Sequence, residues 1–460
     1  MASNFGRISG VLGWPSSWRD PSEFVLQNGL RVVFAQRQRS PVVELRLVIN
    51  GGYRSDPDGR SGLAGLAVAM LIEHLLSLGD AKISIALDKL GAVLQGQLTP
   101  DAAVIGMSAF DSNLDDALGI FFVALARAEF RLEDVELLRA RQLGLIASER
   151  LSPMELASRV LPPMVYGPGH VYARPLSGSG NAGDVATITD YDLRSYYARH
   201  INPQTSTLIV AGSCQAADLC DLLEKTSDGW RAVPFAEVTA AATEKFDNPN
   251  SVTIVNRPGS SQTALAAALS TFERNSTSAE ALIVADTLLG GMFTSRLNLS
   301  LRESKGWTYG LRSELIDARR QGLWLIRSAV RADRAAPAIA EIADEIKNLA
   351  GHRPPTCEEF TRAVDYLVAR IAANHETCAQ MADAFAHHTI YWLPTTYPRN
   401  LASCLRRLKL DDVMQTCREI LAAGQPRWMV VGEAAQLVDQ LRPIISGEFA
   451  VVDFNSSELP

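Results

Sequence analysis

The sequence predicts an α+β protein made of two similar halves, each an antiparallel-rich sheet covered by helices. Three observations lead to this prediction. The chain has 460 residues, more than a single hydrophobic core usually supports. Strand-like and helix-like patterns follow the same order in residues 28–213 and again in residues 250–434. The two runs also close with similar buried strands, QTSTLIVAGS in the first and QPRWMVVGEA in the second.

The first half begins with a pair of strands. A turn at Asn28-Gly29 leads into two β-branched segments, which Ser40-Pro41 separates. Helical spacing follows in GLAGLAVAMLIEHLLSLG and in ISIALDKLGAVL, and residues 101–110 return to strand character. Two more helices are predicted in DDALGIFFVALAR and LEDVELLRARQLGLIASERL, before the closing strand near residue 212.

The second half repeats this order. NSVTIVNRPGSSQTALAAALS predicts strands, SAEALIVADTLLGGMFTSRLNLSLRES a helix with a glycine interruption, and YGLRSELIDARRQGLWLIRSAVRA more strands. Two long helices and the closing strand complete it. The polar, alanine-rich stretch between the halves predicts a surface linker. We therefore expect an N-terminal half at 1–216, a linker at 217–248 and a C-terminal half at 249–460.

Composition excludes several classes of function. The net charge of −7 and the pI of about 5.6 argue against a nucleic-acid partner, which would need a concentrated basic face. The six cysteines form no CxxC pair, so neither a zinc knuckle nor a disulfide framework is indicated. The N-terminal residues lack the apolar core of a signal peptide, and no apolar run reaches 18 residues. We expect a cytoplasmic protein with no membrane partner.

Six segments of the chain resemble a known family, and they occur in the family's order. They are NGLRVVF, GGYRSDPDGRSGLA, LDKLGAVL, YYARHINPQTSTLIVAG, LLGGMFTSRLNLSLRESKGWTYG and WMVVGEA. With them the chain resembles the inverted-motif (HxxEH) zinc metallopeptidases, the family of pitrilysin, insulin-degrading enzyme and the mitochondrial processing peptidase. It is particularly similar to short bacterial members that work as two-subunit enzymes. The resemblance implies the duplicated α+β fold and a part in peptide-bond hydrolysis.

The family's zinc motif is degenerate in this chain. In catalytic members HxxEH begins directly after Gly-Leu-Ala, where two histidines bind zinc and the glutamate activates water. Carried over without a gap, the motif places Gly65 and Ala69 at the ligand positions and Val68 at the position of the general base. None of these side chains has a donor atom, so the resemblance implies that this helix binds no metal.

The third zinc ligand of the family, a glutamate on a downstream helix, is also missing. The matching positions here are Ile146 or Ala147, and Glu149 comes two or three residues late. All three ligands are therefore expected to be absent, and we predict that the chain binds no metal or other cofactor.

A second register places Met70, Glu73 and His74 on the motif. It needs five inserted residues, which turn a helical position by about 140° from its original face, and methionine is a poor zinc ligand. The remaining histidines offer no alternative. The segment NHETC at 374–378 predicts a helix surface, and the adjacent His387 and His388 diverge by about 100° on a helix.

The second half keeps the family's other functional pair. LRESKGWTYG places Arg302 at a helix end and Tyr309 at the start of a strand, with Gly306 in the turn between them. The resemblance implies that this pair binds the substrate backbone near the scissile carbonyl, in trans to a zinc-bearing subunit. A guanidinium and a phenol are suitable donors for a peptide carbonyl and its developing oxyanion. The alternative is an ordinary surface ion pair and a half-buried strand residue.

These observations predict the non-zinc-binding subunit of a heteromeric zinc metallopeptidase, inactive alone. Its expected partners are a homologous subunit with HxxEH, which would bind Zn²⁺, and a peptide substrate. The main alternative is a structural subunit like the core proteins of respiratory complexes, which have no direct part in proteolysis. A self-sufficient hydrolase with another metal arrangement is the third possibility, and the sequence contains no His/Asp/Glu cluster to support it.

Overall fold

The computed structural model describes residues 18–38, 40–77, 81–127, 130–232 and 250–454. Within them the chain forms two six-stranded sheets, each covered by helices. The predicted α+β class with two similar halves is therefore confirmed. None of the described helices combines the length and the apolar composition needed to cross a bilayer.

Each half contributes its own sheet. The first sheet contains β1 (Ser22–Val25), β2 (Arg31–Gln36), β3 (Val42–Ile49), β4 (Val93–Leu98), β5 (Ala103–Phe110) and β6 (Ser206–Gly212). The second contains β7 (Asn250–Asn256), β8 (Gln262–Ser270), β9 (Thr308–Ile316), β10 (Leu323–Arg331), β11 (Arg427–Gly432) and β12 (Glu448–Asp453). The sequence patterns did not reveal β1, β4 or β12, and they assigned Val93 and Leu94, the first residues of β4, to a helix.

The strand orders show that the two sheets are duplicates. They run β1-β2-β6-β3-β5-β4 and β12-β7-β11-β8-β10-β9. The pairs β2–β6 and β7–β11 are parallel, and the remaining equivalent pairs are antiparallel. The sheets differ at one edge, where β1 lies antiparallel to β2 but β12 lies parallel to β7. The opposite edges, β4 and β9, are equivalent and have no further strand beside them in the described part of the chain.

Fifteen α-helices occur in the described residues. Those of the first half are α1 (Leu63–Ser77), α2 (Ala81–Leu90), α3 (Leu114–Ala126), α4 (Leu132–Leu151), α5 (Pro153–Tyr166), α6 (Ala182–Thr187), α7 (Asp190–His200) and α8 (Ala216–Ser227). Those of the second are α9 (Ala279–Asp286), α10 (Ala335–Lys347), α11 (Cys357–Ala373), α12 (Cys378–Ile390), α13 (Tyr397–Arg407), α14 (Leu410–Ala423) and α15 (Ala434–Leu441). Helix α9 continues into π-helical turns at Thr287–Gly291, and a second π-helical segment covers Asn298–Ser304.

The two halves exchange one helix each. Helix α5 of the first half packs on β8 and β11 of the second sheet, where Leu156 and Leu161 are fully buried. In return, α12 of the second half packs on β3 and β6 of the first sheet and buries Phe385 there. One face of each sheet is thus completed by the other half.

Part of the predicted linker belongs to the first half. Residues 216–227 form α8, which packs against α3. Leu219, Leu223 and the following Trp230 lie in the core of the first half, and Lys225 pairs with Asp115 of α3 at 2.8 Å. The alanine-rich composition concealed an amphipathic helix with buried leucines. Residues 233–248 of the predicted linker lie outside the described residues.

Candidate functional site

The degenerate motif lies at the start of α1, where a buried carboxylate fixes the helix. The oxygens of Asp56 accept hydrogen bonds from the backbone N–H groups of Gly62 (2.7 Å) and Ala64 (2.8 Å). These are donors that a helix start would otherwise leave unpaired. Burial raises the pKa of Asp56 to about 7, although Arg174 and the two N–H groups act to lower it. The residues before the motif therefore anchor the helix rather than assist a metal.

The motif positions themselves are used for packing. Val68 is buried, and its Cγ1 would lie 2.8 Å from a Cβ atom added to Gly96 of β4. Ala69 is partly buried on the same helix. At Gly65 an added Cβ would lie only 2.8 Å from the carbonyl oxygen of Gly178. Side-chain carbons do not approach a backbone oxygen this closely, so the first ligand position has no donor atom and no room for one.

A buried ion pair occupies the region of the third ligand. Ile146 packs in the apolar cluster beneath α1, and Ala147 is exposed. Glu149 is buried and accepts hydrogen bonds from Arg159 Nη1 and from the hydroxyl of Ser179, both at 2.7 Å. This carboxylate joins α4 to α5 and to the loop that closes over Gly65. The Glu149 carboxylate is therefore held by these two internal contacts and does not take the place of the family's third zinc ligand.

The alternative register is not supported by the geometry. Met70 is buried among apolar side chains, and Glu73 pairs with Arg141 at 3.4 Å. Throughout the described residues there is no group of three or more His, Cys, Asp or Glu side chains that could hold a metal ion. The side chains present in this half therefore do not fit the zinc site of the family.

One histidine prediction was wrong. The segment 374–378 was expected on a helix surface, but His375 is buried, and so is His388 of α12. The rings of these two residues lie 6.4 Å apart, and His387 pairs with Asp317 at 2.8 Å. Burial lowers the pKa of both His375 and His388. His375 lies in the turn between α11 and α12, and its burial against Phe385 and His388 is a tertiary contact that the local pattern could not show.

In the second half, Arg302 lies on the π-helical segment Asn298–Ser304. Its Nε donates to Glu303 Oε1 at 2.9 Å, and its guanidinium carbon lies 3.6 Å from the ring centroid of Phe293. A cation held flat against an aromatic ring is stabilised electrostatically and loses freedom of orientation. The guanidinium is thus held in place by neighbouring residues and is not buried in a salt-bridge network.

Tyr309 is the second residue of β9, the strand at the free edge of the second sheet. Its side chain is 94% exposed, and its hydroxyl has no hydrogen-bond partner in the described part of the chain. Gly306 has a φ of +61°, which makes the turn between Arg302 and Tyr309, as the sequence predicted. A phenol exposed to this extent stabilises the chain's own fold very little.

A buried asparagine sets the geometry between the two segments. Asn298 Nδ2 donates to the carbonyl oxygen of Leu311 (3.1 Å), and the N–H of Leu311 donates to Asn298 Oδ1 (3.2 Å). This pair of bonds ties the π-helical segment to β9. No hydrogen bond joins the side chains of Arg302 and Tyr309 directly among the described residues. Their relative position is therefore set by the backbone, which Asn298 fixes.

Phe293 is a site residue that the sequence analysis did not single out. Its ring is 69% exposed although it supports the Arg302 guanidinium. A large exposed aromatic side chain after a Gly-Gly pair, nine residues before the arginine, is the signal that could have indicated it.

One family model matches the middle of the chain. Residues 187–367 match the family described as the Peptidase M16 inactive domain. The matched segment runs from the end of α6 into α11 and includes both Arg302 and Tyr309.

The chain is also similar to curated proteins that are named as zinc proteases. An uncharacterised zinc protease of Mycobacterium tuberculosis is 24% identical over 338 residues, which cover 73% of this chain and 76% of that protein. An uncharacterised zinc protease of Streptomyces coelicolor is 22% identical over 370 residues, covering 78% and 79%. A third, from Rickettsia bellii, is 19% identical over 402 residues, covering 87% and 94%.

Solved structures share the fold. A peptidase M16 inactive domain from Pseudomonas fluorescens has a TM-score of 0.81 at 22% identity, covering 90% of this chain and 98% of that one. A protease from Helicobacter pylori has a TM-score of 0.82 at 16% identity, covering 89% and 99%. The comparisons therefore confirm that this chain resembles the inverted-motif (HxxEH) zinc metallopeptidase family, and residues 187–367 match the family described as the Peptidase M16 inactive domain.

Proposed function

We propose that this chain is the non-zinc-binding subunit of a heteromeric zinc metallopeptidase. It supplies Arg302, Tyr309 and one wall of a peptide chamber to a homologous partner subunit that carries HxxEH. The chain has no peptidase activity alone, because the metal and the general base belong to the partner.

The observation that carries this proposal is the exposure of Tyr309, seven residues after an arginine that is held against an aromatic ring. Its phenol is 94% exposed on an edge strand, and the Arg302 guanidinium is fixed on Phe293 nearby in the sequence. The first half contrasts with this arrangement. At its motif positions Gly65, Val68 and Ala69 contribute no donor atom, and Gly65 is closed off by the carbonyl of Gly178. This contrast supports the proposal, because the second half presents hydrogen-bond donors while the motif positions of the first half offer no metal ligand.

The two side chains act as hydrogen-bond donors toward the substrate. A guanidinium and a phenol hold the carbonyl oxygen of the peptide bond and stabilise the negative charge that develops on it. Donors that are already in position cost no reorganisation when the charge develops, so their fixation by Phe293 and by the β9 backbone contributes to the rate.

The test is reconstitution with a homologue that contains HxxEH, most simply one encoded next to this chain. We expect the two purified subunits to form a complex that cleaves peptides, with zinc in the partner alone and little activity in either subunit separately. In the complex, Tyr309→Phe and Arg302→Ala should each lower kcat/KM by on the order of 10² to 10³, while zinc content and assembly stay unchanged. Tyr309→Phe is the sharper variant because it removes a single hydroxyl.

A matched control is Tyr191→Phe, which changes a tyrosine that is 74% exposed on the first half. We expect it to cleave at the wild-type rate. If Tyr309→Phe and Arg302→Ala also cleave at that rate in a verified complex, the proposal is wrong. The chain would then be better described as a structural subunit of the core-protein type.

A further inference from the structure

The strand that carries Tyr309 contains a β-bulge at that residue. Pairing of β9 with β10 runs in register from Ile316↔Leu323 to Leu311↔Ser328, and the next pair is Thr308↔Val330. Tyr309 and Gly310 of β9 therefore lie opposite the single residue Ala329 of β10. A bulge bends its strand and redirects side chains, and it leaves some backbone groups without their usual partners.

The hydroxyl of Thr308 forms hydrogen bonds with the backbone groups that the bulge leaves unpaired. Thr308 lies just before the bulge and is largely buried. Its Oγ1 accepts a hydrogen bond from the N–H of Gly310 (3.1 Å) and donates to the carbonyl oxygen of Ala329 (2.8 Å). Ser328 on the neighbouring strand donates to the carbonyl oxygen of Gly310 (3.1 Å) and lies 3.0 Å from the Thr308 hydroxyl. One hydroxyl thus closes the bulge on both strands.

We propose that Thr308 is the positioning residue for Tyr309: its hydroxyl holds the bulge in the one conformation that directs the phenol away from the protein and toward substrate. This inference rests on the proposed function, because it assigns Tyr309 a target outside the chain. Thr308 itself touches no substrate.

The location of the bulge separates this role from a general contribution to stability. Gly310 is exposed and Ala329 is partly exposed, so water can reach their backbone groups if the hydroxyl is removed. The sheet then keeps its remaining pairs with β10 and stays folded. What is lost is the fixed direction of Tyr309, and an error of about 1 Å in the position of such a group can cost as much as 10²-fold in rate.

The experiment compares Thr308→Val with Thr308→Ser. Valine has nearly the shape of threonine but no hydroxyl, whereas serine keeps the hydroxyl and loses only a methyl group. The first measurement uses this chain alone and follows amide hydrogen exchange in residues 306–312. We expect faster exchange at Gly310 in Thr308→Val, and exchange close to that of the wild type in Thr308→Ser.

The second measurement uses the reconstituted complex with its HxxEH subunit. We expect Thr308→Val to lower kcat by about 10-fold or more with a small change in KM, and Thr308→Ser to stay within about twofold of the wild type. Zinc content and complex formation should be unchanged in both variants.

Three results would overturn parts of this account, and they are distinguishable. Unchanged exchange at Gly310 in Thr308→Val means that the hydroxyl does not hold the bulge. Faster exchange with wild-type kcat means that the bulge does not set the position that matters. If Tyr309→Phe itself cleaves at the wild-type rate, the proposed function fails first, and the assignment of Thr308 fails with it.

Discussion

Gly65 shows, at the scale of single residues, that a position without a donor atom can also be closed by packing. A Cβ at this position would lie 2.8 Å from the carbonyl oxygen of Gly178, whose loop is held by Ser179, Glu149 and Arg159. The sequence showed that the position lacks a donor atom. It could not show that the site is closed, because the closing atom comes from a loop more than 100 residues away in the chain.

Because the site is closed, we predict that replacing this helical glycine by alanine lowers stability instead of raising it. Gly→Ala in a helix interior normally stabilises a protein by about 1 kcal/mol. We expect Gly65→Ala to destabilise the chain by about 1 kcal/mol, because the clash with Gly178 costs more than helix propensity gains. Gly144→Ala is the control, since an added Cβ on this exposed residue of α4 meets nothing within 4 Å. It should stabilise the chain slightly in chemical denaturation. Stabilisation by both variants would mean that a side chain fits at position 65.

His388 predicts part of the pH dependence of stability. Burial, followed by His387, His375 and Arg274, lowers its pKa well below the usual 6.5, and its Nδ1 has no hydrogen-bond partner within the described residues. As the pH falls below about 6.5, the unfolded chain gains a proton at this residue before the folded chain does. The stability linked to His388 is therefore fully present above pH 6.5 and is lost on acidification, by up to about 1.4 kcal/mol per pH unit.

The measurement compares His388→Phe with the wild type in denaturant unfolding at pH 7.5, 6.5 and 5.5. Phenylalanine suits a position surrounded by the rings of His375, Phe385 and Tyr397. We expect the variant to lose less stability than the wild type below pH 6.5. The difference between the two proteins is the informative quantity, because Asp56, whose pKa is raised, shifts stability in the opposite direction in both. Parallel pH curves would contradict the assignment.

At the scale of secondary-structure elements, the sequence predicted what is local and missed what depends on the partner half. Hydrophobic periodicity indicated the central strands, α1, α4 and the glycine-interrupted helix before Arg302, because these patterns are set by each element's own buried face. The sequence patterns did not single out α5, and they could not indicate that α12 packs on the first sheet. Which sheet each helix covers is a tertiary property, and both helices cover the sheet of the opposite half.

Around the candidate site, too, the sequence predicted local features and missed those that depend on tertiary contacts. The turn at Gly306 and the strand start at Tyr309 could be predicted from LRESKGWTYG. The bulge at Tyr309 and Gly310 could not, because it follows from the register with β10, whose partner residues lie about 20 positions later in the chain. Likewise, the stacking of Arg302 on Phe293 requires the π-helical turns that bring two separated stretches together.

At the scale of the whole molecule, a buried polar contact adds to the helix exchange that joins the halves. Asp101 of the first half is completely buried and pairs with Arg54 at 2.7 Å. It also accepts a hydrogen bond from the backbone N–H of Arg319 of the second half (2.8 Å), and the Arg319 side chain donates to the carbonyl oxygen of Ile390 (2.6 Å) in the exchanged helix α12. Neither half can unfold without exposing the core of the other, so the two should behave as one cooperative unit.

We therefore predict that Asp101→Asn lowers the stability of both halves together. The amide has the shape of the carboxylate but leaves the Arg54 guanidinium without its anion, and removing one partner of a buried pair costs about 3 kcal/mol or more. Amide exchange under native conditions should lose protection to the same extent in β3 of the first sheet and β8 of the second. Asp333→Asn is the control, because this half-exposed partner of Arg331 contributes at most about 1 kcal/mol. Loss of protection confined to β3 would show that the halves unfold independently, and the exchanged helices would then be contacts between two separate domains.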